Sequence, residues 1–396
     1  MPRQPLSPPI GRSFARVREV AQTFLLLGSL AFGGPFAHVA LMEQWLVKRF
    51  QWVSAEEFLQ LLGAASLLPG PTSTELAMYL GARRAGILGL VVAGVCFLFP
   101  SALLVTFFAW SYVHAHTLPF LQDGLFWVRP AVLVVLVQAI EQLAPKACPT
   151  VTTLLLAAAA FGAEILGTGE PWVLLGTGLA AVAIKRISFH RKAHLFCPWV
   201  WILAFQKTPW LPLAQPAKST LFFLFLKIGA IAFGSGYVLI GFLQTEFVHR
   251  HHWLTERHLL DAIAVGQITP GPVFTTATFI GFLLNGLPGA LLGTAGIFLP
   301  SFLYVATTRR LLDLIEKNDI ACDFLEGIRA ASFAIITAAT VSLTRSALAG
   351  PISLTIFLLV ATLVWLVKIN VNLLLSISLA AGILISLLRT IFLPSH

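Results

Sequence analysis

FLLLGSLAFGG, residues 24–34, and FLKIGAIAFGS, residues 225–235, are one phrase written twice, 201 positions apart. At the same offset Val47, Arg49 and Trp52 recur as Val248, Arg250 and Trp253, and Pro69-Gly70-Pro71 recurs as Pro270-Gly271-Pro272. One residue then drops out. At an offset of 200, Gly81, Gly86 and Gly89 recur as Gly281, Gly286 and Gly289, Pro100-Ser101 as Pro300-Ser301, and Arg129 as Arg329. A register held this long with a single gap is a duplication. It divides the chain into a first repeat, residues 19–186, a basic linker rich in Pro and Trp, residues 187–217, and a second repeat, residues 218–391.

The solvent for both repeats is lipid. Of 396 residues, 57% are hydrophobic and 11% charged, where soluble domains carry about 25% charged residues. The formal net charge of +9 sits mostly at the ends of apolar segments, where Lys and Arg meet headgroups. No basic, aromatic-studded surface is left for nucleic acid. After Arg3, Arg12, Arg16 and Arg18 the first apolar stretch runs past Phe32 without an Ala-x-Ala site, which reads as a retained helix and not a cleaved signal. Cys96, Cys148, Cys197 and Cys322 lie far apart, so no metal or redox spacing exists. His249, His251, His252 and His258 cluster, but their stretch corresponds to the interfacial segment Lys48 to Trp52 of the first repeat. No metal and no cofactor are expected. The chain has no phosphate loop, nucleophile elbow or His-Glu-x-x-His, so it is read as neither an ATP-driven pump nor an enzyme.

Within the first repeat, a helix from about Arg18 to Val47 is broken at Gly33-Gly34-Pro35, and Gly234-Ser235-Gly236 interrupts its counterpart. Ser54 to Glu57 has the form of a capping box, with Thr255 in that place in the second repeat. A short helix then runs to Leu68, Pro-Gly-Pro stops it, and another runs to Arg84. Each piece has about 14 residues and reaches roughly 20 Å, short of a 30 Å hydrocarbon core. This predicts a re-entrant hairpin. About four further helices follow in each repeat. Counting the hairpin as no crossing gives five crossings per repeat and counting it as two gives seven; both are odd, which predicts inverted repeats. The expected fold is an all-α polytopic membrane protein with two homologous inverted repeats, a transporter plan with its site near the midplane. The N-terminus is expected in the cytoplasm.

Both Pro-Gly-Pro turns are followed by a fresh helix start. One start offers Thr72, Ser73, Thr74 and Glu75, and the other Thr275 and Thr276. Free N–H groups, hydroxyls and a positive dipole end suit an anion. Candidate substrate-binding residues are therefore Pro69, Gly70, Pro71, Thr72, Ser73, Thr74 and Glu75 with Gln267, Pro270, Gly271, Pro272, Thr275 and Thr276. Arg129 and Arg329 could complete the charge if turned inward, since a guanidinium fits an oxyanion; snorkelling to the interface is the bland alternative. Glu75 is a candidate proton carrier whose counterpart by alignment is Thr276. The paired breaks, Gly33, Gly34, Pro35 and His38 with Gly234 and Gly236, are the second candidate site.

These residues resemble the chromate ion transporter family in its long two-domain form. In the first repeat the likeness rests on Phe32-Gly33-Gly34-Pro35 with His38, on Trp52, and on Leu68-Pro69-Gly70-Pro71 followed by Ser73-Thr74-Glu75-Leu76. In the second it rests on Gly266 to Pro272, Thr275 to Gly281 and Phe298-Leu299-Pro300-Ser301. The family often has Asn before and directly after the first Pro-Gly-Pro; here Ser66 and Thr72 keep a hydroxyl without an amide. The resemblance implies a secondary transporter exporting chromate across the bacterial inner membrane, with chromate and the bilayer as partners. Sulfate has the same shape and charge, and protons are a candidate coupling ion, so transport of sulfate or another anion remains the alternative. A membrane-embedded enzyme is a remoter one, and assembly as a homodimer stays open.

Overall fold

A helical pair broken by a reversal begins each repeat. The computed structural model describes residues 10–32, 34–114, 119–189, 216–233, 236–308 and 319–392. In the first repeat α1 (Ile10–Leu30) is followed by α2 (Gly34–Met42), which continues as π-helical turns over Glu43–Arg49. The expected break is present, and it turns the chain around. Trp52 Nε1 donates to Glu19 Oε1 at 3.1 Å, and its ring meets Phe24 at 6.3 Å. Along a straight helix Glu19 and Trp52 would stand roughly 50 Å apart. The second repeat does the same with α8 (Lys218–Ile231), α9 (Val238–Leu243) and π-helical turns over Gln244–Arg250. There Phe225 stacks on Phe247 at 5.0 Å, and Lys227 pairs with Glu246 at 2.7 Å.

The next hairpin contains Pro-Gly-Pro. In the first repeat α3 (Ala55–Ser66) leads through the turn into α4 (Thr72–His114). Although continuous in hydrogen bonding, α4 is two antiparallel arms, because Ala85 (φ −138°) and Gly86 (φ +68°) leave helical geometry. Gly81 and Gly89 then face each other so closely that a Cβ on either would lie 2.3 or 2.1 Å from the other's carbonyl oxygen. Asn285 and Gly286 fold α11 (Thr276–Thr308) in the same way, with Gly281 against Gly289. The recurring glycines of the sequence thus mark backbone contact across a helical reversal. Arg83 pairs with Glu57 and closes the base of the hairpin. Ser54 caps α3, its Oγ accepting from the Glu57 N–H at 3.1 Å. The expected return bond of a capping box is absent because the Glu57 carboxylate faces Arg83. Thr255 and His258 form the full reciprocal cap on α10 (Glu256–Ile268).

Four further helices complete each repeat. These are the long arm of α4 with α5 (Pro119–Ala147), α6 (Val151–Ile165) and α7 (Glu170–Phe189), and the long arm of α11 with α12 (Asp319–Ala347), α13 (Pro351–Trp365) and α14 (Val371–Phe392). Among the described residues the fold is all helical, and five helices are long and apolar enough to cross a membrane. Leu103, Phe107, Leu155, Leu291 and Leu358 stand exposed along their outer faces, which suits lipid and not water. The chain is a multi-pass membrane protein.

The two pairs of hairpins enter the bundle from opposite ends. The long arm of α4 starts beside Arg83 and Arg84, at what we call the near end, and reaches Tyr112 about 39 Å later. There the Tyr112 hydroxyl donates to Asp261, in the first turns of α10, at 3.0 Å. The base of the second repeat's hairpin therefore lies at the far end. Trp365, closing α13, donates to Glu141 near the end of α5 at 2.7 Å, back at the near end. The odd-crossing argument does not survive, because the first helix reverses and leaves an even number, four, of further helices per repeat among the described residues. The two repeats nonetheless run in opposed directions. Lys185 pairs with Asp323 at the near end, while the Pro216 carbonyl accepts from Asn285 at the far end. Linker residues 190–215 lie outside the described residues.

Candidate functional site

The two breaks and the two Pro-Gly-Pro tips meet at the centre of the bundle, and each repeat completes the other. The Gly70 N–H, at the first Pro-Gly-Pro tip, donates to Ala232 O in the second repeat's break at 2.9 Å. The Gly271 N–H donates to Ala31 O in the first repeat's break at 3.0 Å. Both glycines hold positive φ, +130° and +100°, a region that L side chains rarely adopt. Their α-carbons are also covered from across the pseudo-symmetry. A Cβ on Gly70 would lie 2.3 Å from Ser301 Oγ, and one on Gly271 2.7 Å from Ser101 Cβ. The hydroxyls of those serines reach the facing helix starts: Ser301 donates to Glu75 Oε1 at 3.1 Å, and Ser101 to Thr275 Oγ1 at 3.0 Å.

The hydrogen bonds sort the hydroxyls into engaged and available. Ala31 O can only accept, so His38 Nε2 carries the proton that meets it at 2.9 Å. His38 Nδ1 then accepts from Ser73 Oγ at 3.2 Å, which leaves Ser73 no proton for a ligand. Thr275 Oγ1 accepts from Ser101 and donates to Pro272 O at 2.8 Å, so it too is engaged. By contrast Thr74 Oγ1, Thr276 Oγ1, Gln267 Nε2 and Glu75 Oε2 are buried with no partner among the described residues. Buried polar atoms without partners are rare in native folds and mark a place for water or ligand. The amides of Thr72 and Ser73 add to them, because the first residues of a helix have no intrahelical acceptor.

Residues 18–183 and 219–386, covering both repeats, match the family described as Chromate transporter. The chain belongs to that family. It is 32% identical to the chromate transport protein of Cupriavidus metallidurans over 379 residues, 89% of each chain. It is 33% identical to the probable chromate transport protein of Synechococcus elongatus over 346 residues, 84% of this chain and 86% of that one. A chromate transport protein of Pseudomonas aeruginosa is 29% identical over 333 residues, 81% of this chain and 80% of that one. No solved structure is significantly similar to it. Membership of the chromate transporter family makes the chain a transporter and not an enzyme.

The centre of this family member gathers most of the residues expected from sequence and redistributes their roles. By alignment Thr276 stands opposite Glu75, but hydrogen bonding puts Thr275 there. The second tip is one residue shorter, and a 3₁₀ turn over Val273–Thr275 takes up the difference, since that helix needs only three residues per turn. The tips are thus unlike: a carboxyl faces Ser301 and a hydroxyl faces Ser101. Gly34 and Gly236 lie at the breaks, Gly34 with φ +77° beside the Tyr237 hydroxyl and Gly236 against Val273. Gly33 and Gly234 fall outside the described residues. The arginines are not at the centre. Arg129 is held by Asp261 through Nε at 2.7 Å and Nη2 at 2.9 Å, so its charge is already matched. Arg329 is exposed.

Sequence reasoning missed Ser101 and Ser301, although Pro-Ser recurred at matching places inside long apolar runs. It missed Asp261, a lone carboxyl in the apolar face of α10 with Gln60 at the corresponding place. It also missed Tyr237, which is hydrogen-bonded to Gln267.

Proposed function

We propose that this protein is a secondary transporter that exports chromate across the bacterial inner membrane, and that the anion binds between the two Pro-Gly-Pro tips. The observation that carries this reading is the set of unpartnered buried groups at the tips, Thr74 Oγ1, Thr276 Oγ1 and Gln267 Nε2. Beside them two helix starts add roughly half a positive charge each. Chromate as the substrate is supported by the names of the relatives. Opposed bases and arms too short to span support inverted repeats with re-entrant hairpins, which place such tips at mid-membrane.

Orientation follows from charge. Among the described residues Arg16, Arg18, Lys48, Arg49, Arg83, Arg84, Lys146, Lys185, Arg186 and Lys368 belong to the near end, and fewer basic residues (Arg129, Lys218, Lys227, Arg250, Arg257 and Arg345) to the far end. Basic residues accumulate on the cytoplasmic side, so the near end faces the cytoplasm.

Glu75 supplies the coupling. Its carboxyl is fully buried, with Oε1 bonded by Ser301 and Oε2 free. An ionised carboxylate beside a buried dianion would be strongly destabilising. A protonated one offers a hydrogen bond from Oε2. One proton therefore accompanies each dianion, and the complex leaves with net negative charge, a movement favoured by a cytoplasm held at negative potential. Uptake of labelled chromate into inverted vesicles under an imposed potential tests the reading. Accumulation above that of vesicles lacking the protein is expected, and Glu75→Gln should abolish its dependence on an imposed pH difference. Equal accumulation in both kinds of vesicle would rule out export, and loss of uptake under excess sulfate would show shared recognition.

A further inference from the structure

A cavity of about 410 Å³ lies between α5 and the turn joining α13 to α14. Pro35 and Tyr237 line it together with Gln138 and Gln142 of α5, with Lys368 of that turn and with Asn372 of α14. It belongs to the near end, where Trp365 meets Glu141. It adjoins the central site, since Tyr237 is hydrogen-bonded to Gln267, whose Nε2 is unpartnered. One side chain, Tyr237, therefore stands between the cavity and the unpartnered groups of the tips.

The equivalent place at the far end is shut. The repeat maps the gap between α2 and α5 onto that between α9 and α12, and there the helices touch. A Cβ on Gly241 would lie 2.4 Å from Ile335 Cγ2. Ser342, the counterpart of Gln142, accepts from Gln244 at 2.9 Å and donates to Glu256 at 3.2 Å, bolting the seam. Lys368 marks the second difference between the repeats. It holds φ +60° where the first repeat has Gly167 at φ +84°. Lysine is disfavoured in that conformation, yet this one lines the cavity as its cation. Asn370, in the same turn, caps α14 by accepting from the Asn372 N–H at 3.0 Å.

We propose that this cavity is the entry vestibule for the tetrahedral oxyanion and that Lys368 is the cation that draws the anion in. The proposal rests on the reading of the tips as an oxyanion site. A single positive charge at the mouth of a low-dielectric funnel raises the local concentration of anions, and salt weakens the effect.

The test uses the full chain with its native cysteines replaced and Gln138→Cys introduced. Reaction rates are measured with a negatively and a positively charged methanethiosulfonate reagent. The negative reagent is expected to react faster. Lys368→Gly, which installs the residue the backbone prefers, should lower the ratio of the two rates roughly fivefold, and less at high salt. Chromate should slow the modification. In inverted vesicles the same variant should raise the half-saturating chromate concentration several-fold at unchanged maximal rate. A cysteine at 138 that neither reagent reaches, or a ratio indifferent to Lys368→Gly, overturns the vestibule. A ratio that responds to Lys368 while chromate and sulfate give no protection upholds the vestibule and counts against the oxyanion reading of the tips.

Discussion

Arg129→Gln leaves Asp261 with a carboxylate that is fully buried and bonded by the Tyr112 hydroxyl at 3.0 Å. Two short bonds from the guanidinium, at 2.7 and 2.9 Å, disappear together. Breaking a buried pair on one side costs about 3–5 kcal/mol, because the remaining charge is uncompensated. Asp261→Asn added to the same chain removes that charge and leaves two amides able to bond each other and Tyr112. The double variant should lose only about 1–2 kcal/mol, the difference between hydrogen bonds of ions and of neutral groups. The second substitution therefore restores about 2–3 kcal/mol of what the first removes. Heat-induced loss of the monodisperse protein in detergent reads this out, at roughly 2 °C per kcal/mol for a chain of some hundreds of residues. Arg129→Gln should melt about 6–10 °C below the parent on that scale, and the double variant about 2–4 °C below. Chromate uptake by the double variant should persist. A double variant as labile as Arg129→Gln would refute the pairing argument. A stable double variant without uptake would make Arg129 an anion ligand after all.

Gly70→Ala and Gly271→Ala each place a Cβ against a serine of the other repeat at positive φ. Backbone strain of about 1–3 kcal/mol concentrated at the tip should cut uptake at least tenfold while membrane insertion, read by fluorescence of a fused reporter, is unchanged. Ser101→Ala and Ser301→Ala each remove one hydrogen bond worth about 1 kcal/mol, so half-saturation for chromate should rise about fivefold with the protein still folded. Cysteines at Ser54 and Thr255, at the two hairpin bases, should label from opposite faces of intact cells. Labelling of both from the same face would sink the inverted arrangement.

The duplication was legible because it is a pattern of identities, and its glycines and prolines mark backbone events that no other residue reproduces. Pro69-Gly70-Pro71 and the break at Gly34 could be placed for that reason. What the break does could not, because Gly33-Gly34-Pro35 is compatible with a kink or with a reversal. Only the distant contact of Glu19 with Trp52 decides between them. The partners in the centre were hidden for a related cause. Ser301 lies 226 positions from Glu75, and Arg129 lies 132 from Asp261, so neither pairing leaves a local signature. An arginine in an apolar run looks the same whether it awaits an anion or already faces a carboxylate.

The exchange of bonds between each tip and the opposite break also bears on how the protein is made. Residues of the first repeat emerge from the ribosome before the second exists, and until then the Gly70 amide has no acceptor and the Ala31 carbonyl keeps only its bond from His38. The first half must therefore wait in the bilayer with its centre hydrated or held by the insertion machinery. Synthesised as two separate polypeptides cut within residues 190–215, the halves should find one another, since each carries the partner atoms the other lacks. Either half expressed alone should be recognised as unfinished and degraded.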